Sequence, residues 1–175
     1  PEMLREYNEL WPWDEKTPLP TTNVYGHHGD GIKIALDEGA EVALMDSLMM
    51  FPFADVKNGA DETTVGSDTD CLLVNAKGER FVDETLDRYT MTAALMEQPD
   101  EVLFLISDKD TCRIEGDKNY YGRSIQRLLD QGQLYRADTI EDLAKQMGAD
   151  ADTFKKTVER YNEIARAGED PDFGR

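Results

Sequence analysis

The sequence predicts an α+β fold, a small mixed sheet with a hairpin and several packed helices. Short continuous apolar runs bounded by turn residues indicate buried strands, and longer segments with apolar residues three and four positions apart indicate helices. These segments are interspersed without regular strand–helix–strand alternation, so a parallel doubly wound sheet is not expected. A chain of 175 residues is long enough to bury one substantial core.

The N-terminal half of the chain contains three predicted segments. A short helix is expected to begin at Gly29-Asp30-Gly31 and to end at Gly39, since glycine is the preferred residue after a helix. Residues 47–53 form an apolar run, which predicts a buried strand stopped or bent by Pro52. Residues 54–70 combine acidic side chains with glycine and predict an exposed loop.

The C-terminal half continues the same mixture of strands and helices. Its elements, in order, are a hairpin over residues 71–82 with Gly78 in the turn, a helix carrying Leu86, Tyr89, Ala93 and Met96, a buried strand over 102–106, a helix ending before Gly132, and two final helices over 139–148 and 152–168. Thr139 and Asp142 resemble a capping box at the start of the first final helix.

The charge balance limits the classes of partner. Lys and Arg number 19 and Asp and Glu number 37, which gives a net charge of −18. Such a charge repels nucleic-acid phosphates and anionic lipids, so DNA binding by the final helix pair is disfavoured. No apolar run approaches the roughly 18 residues of a membrane span. The acidic stretch over 61–70 lacks the spacing of a calcium loop, and no metal site is predicted.

Glu84 and Arg88 are the most informative charged pair before any resemblance is considered. They are four residues apart, with Glu first, so they would face each other at the start of the predicted helix. An ordinary surface ion pair explains this spacing more simply than a catalytic pair does.

A family resemblance changes that assessment. Residues Val74, Asn75, Gly78, Arg80, Phe81, Glu84 and Arg88 resemble the V-N-x-x-G-x-R-F-x-x-E-x-x-x-R pattern of the fumarate reductase and succinate dehydrogenase flavoproteins. Gly29-Asp30-Gly31-Ile32, the strand from Leu103 and the late segment Val158–Asn162 are also similar to elements of that family, in the same order. The chain most resembles the soluble flavocytochrome-c type of fumarate reductase.

The resemblance implies a domain arrangement and a cofactor. Residues 22–175 would form the capping, substrate-side domain of an FAD-dependent enzyme, and residues 1–21 would link it to the FAD-binding domain of the same chain. The dinucleotide fingerprint G-x-G-x-x-G is absent from these 175 residues. FAD would therefore be bound mainly by that other domain, and we expect this segment alone to be inactive.

The resemblance also implies roles for individual residues. Arg88 matches the family's proton-donating arginine, and Glu84 would orient or buffer it. The cofactor-contacting residues would be Gly29, Asp30 and His28, and the substrate-side residues would be Phe51, Thr63 and Thr64.

Two departures from the family's pattern bear on the substrate. Phe51 stands where the family has a substrate-binding histidine, and no arginine for the family's T-E-x-x-R proton relay occurs between Phe51 and Glu79. An apolar residue in place of a polar donor favours a larger or more apolar enoate than fumarate.

The leading hypothesis is therefore the cap of a reductase that moves a hydride from reduced FAD to an activated C=C bond of a small unsaturated acid. Its partners would include an electron donor that the sequence does not identify. One alternative is the cap of a desaturating dehydrogenase of the ketosteroid type, which Arg88 disfavours because desaturation needs a base such as tyrosine. Another is a non-catalytic acidic interaction module.

Overall fold

The computed structural model describes residues 23–24, 26–47, 49–57, 59, 62–66 and 71–174. The linker predicted over residues 1–21 lies outside the described residues. The elements are helix α1 (Asp30–Asp37), strand β1 (Leu72–Asn75), helix α2 (Arg88–Met96), a 3-10 turn (Pro99–Glu101), strands β2 (Leu103–Ile106), β3 (Ile114–Glu115) and β4 (Lys118–Asn119), and helices α3 (Ile125–Asp130), α4 (Ile140–Met147) and α5 (Ala151–Ala167). The prediction of an α+β fold is confirmed, but the described strands form two separate antiparallel pairs, β1–β2 and β3–β4, where one mixed sheet was expected.

Strand β1 is the centre of the fold. It pairs antiparallel with β2, with Leu72 opposite Ile106 and Asn75 opposite Leu103, and all four of its residues are buried. Side chains alternate across a strand, so β1 contributes to two cores. One face joins the Phe53 cluster, composed of Phe53, Cys71, Leu73, Val82 and Met91. The other joins the Phe154 cluster, composed of Leu72, Val74, Ala144 and Phe154.

The predicted hairpin forms only at its turn. Val74 bridges Arg80, and the Asn75 N–H donates to the Glu79 carbonyl, but no second strand follows. The next N–H on the same edge of β1, that of Leu73, instead donates to the Glu84 carboxylate at 3.3 Å. A buried side chain thus occupies the position where a hairpin strand would pair, and β2 is the strand partner of β1.

The strand predicted over residues 47–53 is wrong. The described residues of this segment form no strand, and Met49 is 83% exposed while Phe53 is 8% exposed. Pro52 has no N–H to donate to a sheet, and among the described residues of this segment Pro52 and Phe53 are the buried ones.

The loop predicted over residues 54–70 is irregular in its described part, but it is not fully exposed. Gly59 is buried and residues 62–66 are half-buried. The side-chain amide of Asn119 donates to the carbonyls of Glu62 and Thr64, at 2.8 and 3.0 Å, and draws the loop onto the β3–β4 hairpin.

The two final helices pack on the sheet as an antiparallel pair. Thr139 caps α4 by accepting from the Asp142 N–H at 3.1 Å, as the sequence predicts, and Asp150 caps α5. Phe154 is fully buried against β1, and it is the main contact of α5 with the sheet. Among the described residues, no helix combines the length and the apolar character that crossing a membrane requires.

Gly78 lies where the turn after β1 meets α5. Its φ is +83°, and a Cβ built there would lie 2.9 Å from the Phe154 Cβ. Gly148 has a similar φ of +77°, but a Cβ there would meet nothing within 4 Å.

We expect Gly78→Ala to lower the free energy of unfolding by about 2 kcal/mol more than Gly148→Ala. Alanine is strained by the positive φ at both positions, but only at position 78 does its Cβ also crowd the core. Urea denaturation of the two variants measures the difference. Equal losses would show that the turn can move away from Phe154.

Candidate functional site

Arg88 is the first residue of α2. The preceding Asp87 caps this helix: one carboxylate oxygen accepts from the N–H groups of Tyr89 and Thr90, at 2.9 and 3.1 Å, and the other accepts from the Thr90 hydroxyl at 2.6 Å. The hydrogen bond from the Thr90 side chain, followed by that from its backbone, lowers the pKa of Asp87. Arg88 itself is exposed, so its cation stands at an open surface beside the helix start.

The structure brings Arg88 and Phe51 together. The guanidinium carbon of Arg88 lies 4.8 Å from the centroid of the Phe51 ring, within the range of a cation–π contact. Phe51 in turn packs edge-on against Phe53, with ring centroids 5.7 Å apart and planes at 80°. Two residues that the sequence places in one site are therefore neighbours in space.

Glu84 does not lie in the helix that was expected to carry it. Helix α2 begins at Arg88, so Glu84 and Arg88 do not have the helical spacing on which the predicted pair rested. The Glu84 side chain is 1% exposed and accepts from the Arg80 guanidinium at 2.9 and 2.6 Å. Its structural partner is thus the earlier arginine of the motif.

Arg80 is the centre of a buried polar cluster. Besides Glu84, it donates to Asp170 at 2.7 Å, and its guanidinium carbon lies 5.2 Å from the Tyr161 ring centroid and 4.6 Å from that of Phe173. Burial by itself would lower the pKa of Arg80, but the hydrogen bonds to both carboxylates raise it above its usual value. The hydrogen bond from Arg80 is also the main cause that lowers the pKa of Asp170.

The three predicted FAD contacts lie at the N-terminal end of α1. Gly29 precedes the helix in the left-handed conformation, with a φ of 77°, and no side chain caps it. Asp30 opens the helix, and His28 stands just before Gly29. Free N–H groups at a helix start favour an anionic group, so this end can receive a phosphate or a polar edge of FAD.

The segment around α1 exposes several large apolar side chains among its charged ones. Helix α1 has no buried residue. The large apolar side chains that are exposed in this segment are Val24, Ile32, Ile34, Val42, Leu44 and Met49. We call these six residues the α1 surface.

Thr63 and Thr64 lie in the half-buried loop that Asn119 holds. An arginine from outside this loop contacts it: Arg123 donates to the Glu62 carboxylate through Nε at 2.6 Å. Asn119 and Arg123 were not identified from the sequence. They lie 55 to 61 residues beyond the loop, and no local pattern links them to it.

Comparison with known proteins assigns the family. Residues 13–175 match the family described as "FAD binding domain", and the chain belongs to it. It is 31% identical over 173 residues to the NADH:acrylate oxidoreductase of Vibrio harveyi, covering 98% of this chain and 17% of that protein. It is 32% identical over 155 residues to the fumarate reductase (cytochrome) of Shewanella frigidimarina, covering 89% of this chain and 26% of that protein.

A solved structure agrees with this assignment. The 3-ketosteroid Δ1-dehydrogenase of Sterolibacterium denitrificans superposes with a TM-score of 0.65 at 30% identity, over 99% of this chain and 32% of that chain. The chain thus spans between about a sixth and a third of the length of these relatives. The family membership confirms the prediction that the cofactor is FAD.

The buried and the exposed ion pairs near the C-terminus allow a matched test of the Arg80 cluster. The Asp170 side chain is 2% exposed beside Arg80, whereas Asp172 is 37% exposed beside Arg160. We expect Asp170→Asn to cost about 2 kcal/mol of unfolding free energy at pH 7, and Asp172→Asn less than about 1 kcal/mol.

The cost of Asp170→Asn should depend on pH. The pKa of Asp170 is lowered in the folded protein, so its contribution is complete above the unfolded value of about 4 and is lost as the pH falls through the lower folded value. Denaturation at pH 7 and pH 3 should therefore show the difference from wild type shrinking in acid. A difference that grew in acid would contradict the assigned ion pair.

Proposed function

We propose that residues 22–175 form the capping, substrate-side domain of an FAD-dependent reductase that saturates the activated C=C bond of a small 2-enoate, with Arg88 as the proton donor. The single observation that supports this most is the exposed Arg88 guanidinium, fixed against Phe51 within a motif resembling that of the fumarate reductase flavoproteins. The family membership and the named activities of the relatives support the reaction class.

Reduced FAD, when bound, supplies a hydride to one carbon of the double bond. Arg88 donates a proton to the neighbouring carbon, and the resulting neutral guanidine regains its proton from solvent. A guanidinium ordinarily keeps its proton to a pH above about 12. It can act as an acid here because a carbanion beside a carboxylate is a much stronger base. Its positive charge also stabilises the negative charge that develops on the substrate.

The substrate we propose has one carboxylate and an apolar end. The family's histidine would donate to a second carboxylate, whereas Phe51 offers only a ring, and Phe53 behind it is part of the core. A site without that donor forms no hydrogen bond to the second carboxylate of fumarate. Binding fumarate would still require that carboxylate to be desolvated, which costs free energy. Thr63 and Thr64 remain the proposed hydroxyl contacts on the substrate side.

The partner we propose for the α1 surface is the FAD-binding domain of the same chain. Six large apolar side chains are exposed over residues 24–49, and packing against another domain would remove them from water. The helix start that would face the cofactor, with His28, Gly29 and Asp30, belongs to the same segment. The electron donor is a separate partner that would reduce the flavin.

A desaturating dehydrogenase is the second candidate, and the superposition with a ketosteroid dehydrogenase favours it. Desaturation removes a proton from carbon and needs a base. A guanidinium is a hydrogen-bond donor without an acceptor site, so Arg88 suits protonation of the substrate and cannot be the base. An interaction module without catalysis is disfavoured by membership of the FAD binding domain family.

The first test of the proposal is the change Arg88→Lys in the full-length flavoprotein. Lysine keeps the charge but not the planar guanidinium, so we expect enoate reduction to fall by at least about a hundredfold while bound FAD, measured by its absorbance, is unchanged. Arg127→Lys, at an exposed position of α3, is the matched control and should retain wild-type turnover. Undiminished reduction by Arg88→Lys would remove Arg88 from the chemistry.

The second test compares substrates. We expect kcat/KM for cinnamate or crotonate to exceed that for fumarate by about tenfold or more, because Phe51 cannot pair a second carboxylate. Steady-state assays with a reduced dye as the electron source measure both values. Equal values for fumarate and the apolar enoates would contradict the proposed substrate class.

A further inference from the structure

We infer that Phe51 is the positioning residue for Arg88: its ring holds the guanidinium in place through a cation–π contact and leaves the N–H groups free to face substrate. This inference rests on the proposed function of Arg88 as proton donor. It assigns to Phe51 a task beyond that of an apolar wall.

The starting point is that helix α2 does not hold Arg88 by itself. A helix start carries partial positive charge, so a cation at its first position is on the unfavourable end of the macrodipole. The nearest carboxylate in sequence, Asp87, is occupied by the Thr90 hydroxyl and by two backbone N–H groups. The helix is thus capped without any contribution from the Arg88 side chain.

The Phe51 ring provides the hold that the helix does not. Within the part of the chain that the structure describes, the Arg88 guanidinium rests on this ring at 4.8 Å. The ring is itself fixed, because it packs edge-on against Phe53, which is 8% exposed and belongs to the core around Leu73. A continuous series of contacts therefore leads from the core to the reacting side chain.

An aromatic ring suits a proton donor better than a carboxylate does. A carboxylate would accept hydrogen bonds from the guanidinium N–H groups and compete with the substrate for them. The face of a ring attracts the positive charge without accepting those hydrogen bonds in the guanidinium plane. Phe51 can therefore restrict the four-bond side chain of Arg88 while its N–H groups stay available.

The experiment compares three variants of the full-length, FAD-loaded protein. Phe51→Leu removes the ring but keeps an apolar side chain, and Phe51→Tyr keeps the ring face. Phe81→Leu is the matched control, because Phe81 is also a half-buried phenylalanine packed on the Phe53 cluster. The assay substrate is whichever of acrylate, crotonate and cinnamate the wild type reduces fastest, with the solvent deuterium isotope effect on kcat measured for each protein.

We expect Phe51→Leu to lower kcat about tenfold and to raise the solvent isotope effect, because a misplaced Arg88 slows proton delivery relative to hydride transfer. Phe81→Leu should stay within about threefold of wild type with an unchanged isotope effect, and Phe51→Tyr should keep the wild-type isotope effect because the ring face remains. A merely structural role for Phe51 would lower the active fraction without changing the isotope effect, and that outcome overturns the inference. So would equal losses in Phe51→Leu and Phe81→Leu.

A second readout separates this inference from the proposed function. In arginine-labelled protein, the Arg88 Nε–Hε resonance, identified by its loss in Arg88→Lys, should carry an upfield ring-current shift that persists in Phe51→Tyr and disappears in Phe51→Leu. Absence of the shift in wild type overturns the positioning contact whatever the activity. If the upfield shift is present but the flavoprotein reduces none of the three acids, the proposed function is overturned. The contact would then have no role in proton donation.

Discussion

The buried Arg80 guanidinium is the interaction on which the rest of the structure depends. It comes from the turn after β1, is 7% exposed, and holds Glu84 from the segment before α2 and Asp170 from beyond α5. An uncompensated charge at this depth would cost several kcal/mol, so the fold must keep both carboxylates in place. The rings of Tyr161 and Phe173 also contact the guanidinium, and the cluster thereby joins the turn after β1 to helix α5 and the residues that follow it.

This cluster also decides which residues remain for chemistry. Because Glu84 accepts hydrogen bonds from Arg80 and from the Leu73 N–H, it is part of the architecture that supports β1. Arg80 and Arg88 occur in one short motif, yet the first is buried between two carboxylates and two rings while the second is exposed on a single ring. The same side-chain type thus has a structural task at one position and is left available for proton transfer at the other.

The substrate-side loop illustrates how distant segments complete a site. Asn119 uses both polar atoms of its side-chain amide. The nitrogen donates to the carbonyls of Glu62 and Thr64. The oxygen accepts from the N–H groups of Tyr121 and Arg123. The small β3–β4 hairpin is thereby fixed to the loop, and Arg123 is brought onto Glu62. The position of Thr63 and Thr64 follows from a hairpin far along the chain.

The sequence by itself determined the local elements and the family pattern. The helix that opens at Asp30, the Thr139 cap and the final helix pair depend on spacing and on side chains within a few residues of one another, which is what a linear pattern records. The motif around Arg88 was identified in the same way. The strand expected over residues 47–53 failed because an apolar run does not say whether its backbone finds a partner.

Only the tertiary structure determined which side chains are in contact. Arg80 and Asp170 form an ion pair although they are 90 residues apart in the chain, and Arg123 and Glu62 form one although they are 61 residues apart. Phe51 contacts Arg88 and also packs against Phe53, which belongs to the core. The sequence spacing predicted that Glu84 pairs with Arg88, whereas in the structure Glu84 pairs with Arg80. The physical reason is that ion pairs and ring contacts form between groups that the packed core brings within a few ångströms, and chain distance carries no information about that approach.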